Sequence, residues 1–272
     1  MNDETMTPNP DFRRKSNIES VHRLLGVQPG LLTQSLQAGG DDPYYSQYVF
    51  ELEGALSVDA FDGAWRDVAA RHEILRADFR WEGIAQPAMI VYRQTDAGCA
   101  YADWRDVPVS EQHARLAQEW DARRAEGFDL TRAASLQLQL IQVAAQRYWF
   151  VWRMHHVQLD GWSLPIVLRE VMACYAAHSA GGQPALASAP SLKTYRAWLE
   201  AQDRDEAEAR WCTALADLSV PTPLPASAAQ PDAPRRYAER RLRLDPAASA
   251  ALVEFARAQR VTLGSVVQAA WA

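Results

Sequence analysis

Residues Trp149-Phe150-Val151-Trp152-Arg153-Met154-His155-His156-Val157-Gln158-Leu159-Asp160-Gly161-Trp162-Ser163 decide how this chain is read. The apolar run predicts a buried strand that ends at two histidines. A short loop with an Asp-Gly pair follows. A helical pattern comes next, with Leu164, Val167, Leu168, Val171, Met172 and Tyr175 on one wide apolar face. Pro165 falls in the first turn, where proline is tolerated, and Gly181-Gly182 ends the helix. Strand neighbours point to opposite faces, so His155 and His156 cannot both face one cavity and must do different jobs. Gly161 permits a sharp turn or a close approach to a ligand. Asp160 stands where a carboxylate holds a loop or orients an imidazole. A strand tip, a loop and a helix start together are a common place for chemistry in α/β proteins.

Working outward, Leu136, Leu138 and Leu140 alternate with Gln137 and Gln139, a half-buried strand that Ala145-Gln146-Arg147 turns into the histidine strand as a hairpin. Residues 45–53 alternate as another strand, with Tyr48, Phe50 and Leu52 on one face. A helix starts at Val58-Asp59, striped by Phe61, Trp65, Val68 and Ala69 at three- and four-residue steps. Residues 71–79 cross from it into a further strand, Trp81-Glu82-Gly83 is a turn, and 88–92 is the next strand. Residues 18–36 read as a loop followed by a short helix from about Gly30, and 39–43 as a turn cluster. Asp103-Trp104-Arg105 is a loop. A charged helix over 110–126 buries Leu116 and Trp120.

Beyond the motif, helices over 192–202 and 206–218 are expected to be anchored by Trp198 and Trp211. Residues 221–234, rich in Pro, Ala and Ser, read as a linker. A strand with one wet face follows over 237–244, then a helix over 246–259. A last apolar helix opens at Leu263 and reaches Ala272 without a cap, which reads as a chain cut inside an element. The resulting division is a disordered leader over 1–16, a subdomain over 17–182, a helical segment and linker over 183–235, and the start of a second subdomain over 236–272.

The chain has 272 residues, 48% of them apolar, and a formal charge of −6. That is enough for a real core, and it carries no basic signal for nucleic acid or anionic membrane. No apolar run is as long as a membrane span. Residues 1–14 have no signal-peptide core, and Arg13, Arg14 and Lys15 read as a solvated charge cluster. Three scattered cysteines, Cys99, Cys174 and Cys212, form neither an even disulfide framework nor a Cys-x-x-Cys signature. They read as buried or idle thiols in a reducing cytoplasm. Two histidines and an aspartate are plausible zinc ligands, but adjacent strand histidines diverge and no third His or Cys lies near, so the expectation is no metal.

The pattern His-His-x-x-x-Asp-Gly, followed by Trp162-Ser163, resembles the active-site motif of condensation domains from nonribosomal peptide synthetases. These belong to the wider chloramphenicol acetyltransferase-like superfamily. Arg71-His72-Glu73-Ile74-Leu75-Arg76 with Phe79 is similar to the family's Arg-His-x-x-Leu-Arg-x-x-Phe motif. Trp81-Glu82-Gly83, Gly127-Phe128-Asp129, Pro221-Thr222-Pro223 and Val261-Thr262-Leu263 also match, while Gly26-Val27-Gln28-Pro29-Gly30 departs from the usual opening segment.

The resemblance implies an α/β, two-layer fold with a mixed sheet packed by helices, the first half of a V-shaped pseudo-dimer. It implies an acyltransferase that forms an amide: an amine held on the phosphopantetheine of a carrier protein attacks an acyl thioester. His156 is the implied catalytic residue. A neutral imidazole with a reference pKa of about 6.5 suits that proton transfer. His155 is packed on the other side, Asp160 fixes the loop through an Arg, and Gly161 gives the donor room. Trp162, Arg71 and Arg76 complete the motif set, with His72 structural. No bound cofactor is implied; substrates ride on carrier proteins or on CoA. Trp81-Glu82-Gly83 and Asp160-Gly161-Trp162-Ser163 look like starter-type members, which cap the first amino acid of a lipopeptide with a fatty acyl group from acyl-CoA. The alternatives are a peptidyl carrier-protein donor, or a non-catalytic half-domain that only binds partners. The 272-residue chain is expected to be inactive by itself.

Overall fold

The computed structural model describes residues 10–38, 42–134, 136–220 and 242–271. The chain forms two compact units, Met1–Arg204 and Asp205–Ala272. In the first unit the elements run β1 (Ile18–Arg23), α1 (Gln28–Ala38), β2 (Tyr45–Glu53), α2 (Val58–Arg71), β3 (Ala77–Arg80), β4 (Ala88–Tyr92), β5 (Cys99–Asp103), α3 (Val109–Glu126), β6 (Gln137–Ala144), β7 (Arg147–His155), α4 (Ser163–Ser179) and α5 (Leu192–Glu200). The second unit holds α6 (Arg204–Ala214), α7 (Pro246–Ala258) and α8 (Leu263–Trp271). The linker expected over 221–234 lies outside the described residues, as does most of the strand expected over 237–244. This is the mixed α/β architecture that the sequence implied.

Two sheets organise the first unit. The larger has the order β2-β7-β6-β5, with β5 parallel to β6 and the other pairs antiparallel. The smaller is antiparallel, β1-β4-β3. β7 lies inside the larger sheet and is covered on both faces, which is why its sequence is apolar without alternation. Tyr148, Phe150, Trp152 and Met154 pack toward Phe61, Trp65 and Val68 of α2 and toward Val167 and Val171 of α4. Trp65 meets Trp152 edge-on at 5.0 Å, and Phe61 meets Phe150 at 5.1 Å. Trp149 and Val151 face the other way, toward Trp104 and Leu116. Aromatic pairs of this geometry add about 0.5–1.5 kcal/mol each beyond area burial, so β7 is held firmly by its packing.

α2 starts where Ser57 accepts a hydrogen bond from the Ala60 N–H at 3.3 Å, the usual satisfaction of an orphan donor. A 3-10 helix, Glu73–Arg76, carries the chain from α2 into β3. Residues 18–23 form a strand, β1, and not the loop expected there. Its inward positions, Ile18, Ser20 and His22, are mostly polar, while Val21 points outward; the alternation runs against hydropathy. β5, Cys-Ala-Tyr-Ala-Asp at a sheet edge, has its one large side chain, Tyr101, exposed and carries little apolar signal. Residues 10–17, placed in or beside the leader, form two short 3-10 helices. Arg13 is not simply solvated: it pairs with the fully buried Asp78 at 3.4 Å, because a buried carboxylate needs a counter-charge.

The tryptophan anchors expected for two helices are also corrected. Trp198 is 57% exposed and Trp211 66% exposed, and neither α5 nor α6 has a buried residue. Trp198 stacks instead on Tyr195 at the helix surface, 5.8 Å between centroids. The apolar face of α4 is narrower than its sequence suggests: Val167, Val171 and Cys174 are buried, and Met172 is exposed. Cys212 is exposed, and burial pushes the thiols of Cys99 and Cys174 up. Among the described residues no helix is long and apolar enough to cross a membrane.

Candidate active site

β7 delivers both histidines to its end, and alternation separates them. His155 is completely buried, and His156 is half-buried. His156 is anchored by its backbone N–H, which donates to the Tyr44 carbonyl at 3.0 Å. Its ring Nδ1 lies 3.1 Å from the Leu159 carbonyl oxygen. A carbonyl only accepts, so in the neutral ring Nδ1 carries the proton and Nε2 carries the lone pair. Nε2 is met by Ser46 Oγ at 3.3 Å, a long contact that a substrate group can replace. The loop therefore presets the tautomer that lets Nε2 accept a proton.

His155 is the opposite case. Val157 N–H donates to Nδ1 at 2.9 Å, and Nε2 meets Asp42 Oδ2 at 2.9 Å and Ser35 Oγ at 3.0 Å. Burial holds this imidazole below its ordinary pKa, although Asp42 pulls the other way. Its ring packs near Tyr44 and Phe128.

Asp160 is exposed, and its Oδ1 accepts from Ser163 N–H at 2.8 Å and Ser163 Oγ–H at 2.7 Å. These bonds hold its carboxyl below the usual range and close the first turn of α4. Within this chain the partner of Asp160 is Ser163. Gly161 is exposed and outside the left-handed region, with open space beside its Cα. The turn does not require glycine, and what the residue leaves is room. Trp162 is 86% exposed beside that room.

Arg71 and Arg76 do not reach the histidines. Arg71 Nε and His72 Nε2 converge on Glu170 Oε2 of α4, at 3.0 and 2.6 Å. Burial would raise the Glu170 carboxyl, but the His72 and Arg71 contacts bring it below its ordinary value. Arg76 is buried and donates to Glu19 at 2.7 Å and to the Tyr92 carbonyl. Both arginines brace the scaffold. Sequence reasoning missed Ser46, Asp42, Ser35 and Tyr44. Asp42 read only as a turn residue, and no local pattern ties it to a histidine more than a hundred positions away.

The family comparison fits this geometry. The condensation domain family matches residues 18–272. This chain is a condensation domain family member. It is 40% identical over 259 residues to one of the linear gramicidin synthase proteins of Brevibacillus parabrevis, a match covering 94% of this chain and 5% of that protein. Among solved structures, the X-domain in complex with OxyB from teicoplanin biosynthesis matches with TM-score 0.71 at 26% identity, over 94% of this chain and 56% of the other. The starter condensation domain of rhizomide synthetase RzmA matches with TM-score 0.62 at 22% identity, over 74% and 49%. The chain thus spans about half of the solved chains and a small part of the synthase.

Proposed function

We propose that this chain carries the histidine of an amide-forming site in a peptide synthetase, where a carrier-bound amine attacks an acyl thioester. The observation that carries the reading is the His156 ring: Nδ1–H is tied to the Leu159 carbonyl, and Nε2 is turned toward the replaceable Ser46 hydroxyl. In the reaction the amine nitrogen bonds the thioester carbon and loses a proton to Nε2. The C–S bond breaks, and that proton passes to the departing thiolate. Orientation of the amine contributes alongside base chemistry. Asp160 and Ser163 hold the loop, Gly161 and Trp162 border the approach, and no metal or bound cofactor is required.

Two donors are open, a fatty acyl-CoA and a peptidyl carrier protein. The 40% identity to a gramicidin synthase supports the second. The 22% identity to a starter domain supports the fold alone. A partner-binding role without catalysis is the other reading, and the likeness to an X-domain solved in complex with OxyB favours it. The test measures amide formation on an aminoacyl carrier protein, with each donor in turn, by this chain and by a longer form that includes the remainder found in its relatives. Turnover is expected from the longer form with a carrier-bound donor. His156→Ala in that form is expected to slow it by about 10²-fold or more with the fold intact. Turnover with acyl-CoA alone restores the starter reading, and a longer form that binds a carrier protein but makes no amide supports the partner-binding one.

A further inference from the structure

The buried histidine and its half-buried neighbour are held in opposite neutral tautomers, and one carboxylate links the two. Val157 N–H occupies the lone pair of His155 Nδ1, so the ring proton sits on Nε2 and points at Asp42 Oδ2. The other oxygen of Asp42, Oδ1, accepts the Tyr44 N–H at 2.9 Å and the Ser35 hydroxyl at 3.1 Å. The Tyr44 carbonyl in turn accepts the His156 N–H. α1 grips the same turn at a second point, since Gln28 Nε2 donates to the Val157 carbonyl at 2.8 Å. The turn gripped in this way also carries Leu159, whose carbonyl fixes the His156 ring.

We infer that Asp42 is a positioning residue for His156, acting through the His155 ring and the Tyr44 peptide. The inference rests on His156 being the group that meets the amine. Asparagine at position 42 is isosteric but cannot satisfy both neighbours. With its oxygen toward Tyr44 N–H, its NH2 confronts His155 Nε2–H, donor against donor. With its oxygen toward His155, its NH2 confronts Tyr44 N–H. Moving the His155 proton to Nδ1 only transfers the conflict to Val157 N–H. The strand end and the 156–159 turn must shift, and the His156 ring with them.

The test labels the histidines with 15N and records the imidazole nitrogens of this chain. The wild type is expected to show Nε2–H for His155 and Nδ1–H for His156. Asp42→Asn is expected to move the His155 and His156 signals together while circular dichroism stays native-like. Ser35→Ala is expected to move them in the same direction by less, and it decides the question if Asp42→Asn does not fold. In the longer, turning-over form, Asp42→Asn is expected to lower kcat by about 10- to 100-fold, as displacements of this size do. The KM for the carrier-bound amine should change less than about twofold, and Asp42→Glu should recover part of kcat. Unchanged His156 signals in the variants, or a change in KM alone, overturn the proposal. If His156→Ala is silent in turnover while the Asp42→Asn spectrum still shifts, the catalytic reading of His156 fails and the positioning link stands.

Discussion

The two adjacent histidines have opposite fates because side chains alternate along an extended strand, and His156 follows His155, the last residue of β7, directly. That separation was legible in the sequence. The partners were not legible. Asp42, Ser35 and Ser46 come from a turn, α1 and β2, and only the sheet register, which pairs Tyr45 with His155 and Ser46 with Met154, brings them near. His155 should behave as a structural residue. His155→Ala leaves Val157 N–H and Asp42 without their buried partner, at a cost of about 3 kcal/mol read from the urea midpoint. Its folded pKa lies below the ordinary 6.5. The unfolded chain therefore takes up the proton first as pH falls. The stability contributed by a neutral His155 is complete above about pH 6.5 and is lost as pH drops from there toward the folded pKa. Unfolding curves between pH 7.5 and 5 should show that loss in the wild type, and His155→Asn, which keeps an acceptor near Val157 N–H, should lack it.

At the scale of elements, legibility followed the strength of the apolar period. β2, β4, β6, β7, α2 and α4 stand where alternation or a helical stripe put them. β1 failed because polar residues take its inward positions, and β5 because alanines and a cysteine carry little signal. Trp198 and Trp211 misled because a large aromatic was equated with an anchor, and the helices bearing them have no fully buried residue. The Arg71-His72 motif gains a physical role only in three dimensions, where Glu170 of α4 binds both side chains and ties the end of α2 to the helix that follows the histidine loop. Glu170→Gln removes a charge-assisted hydrogen-bond pair and should cost about 2 kcal/mol, seen as a lower Tm. The folded Glu170 pKa is depressed from its ordinary 4.5. Its contribution is therefore present above about pH 4.5 and lost as pH falls through the folded value, so wild type and Glu170→Gln should converge in acid. Asp160 caps the other end of this arrangement, and Asp160→Ala should cost about 1 kcal/mol and fray the first turn of α4, measured by amide exchange at Ser163 and Leu164.

For the whole molecule, the buried apolar side chains of the described residues fall almost entirely in the first unit. All three apolar clusters are built from residues of the first unit. Among the described residues of the second, Ala256 is the one buried apolar side chain, and Val267 and Trp271 of α8 stand exposed. The helices there have 11, 13 and 9 residues, and isolated helices under about 12–15 residues are marginal in water. Stability in a domain comes from burial set against chain entropy, and the described helices of this unit bury little within themselves to set against that entropy. A chain ending at Arg204 is therefore expected to keep the cooperative unfolding and the near-UV tryptophan signal of the full chain, with Tm changed by less than about 5 °C, on the scale where about 1 kcal/mol moves Tm by 2–4 °C in a domain of this size. Residues 205–272 expressed alone are expected to show weak helical ellipticity without a cooperative transition. A large drop in Tm on removing them, or a sharp melt of the isolated segment, would mean that its apolar helix faces are buried in solution and contribute to the fold after all.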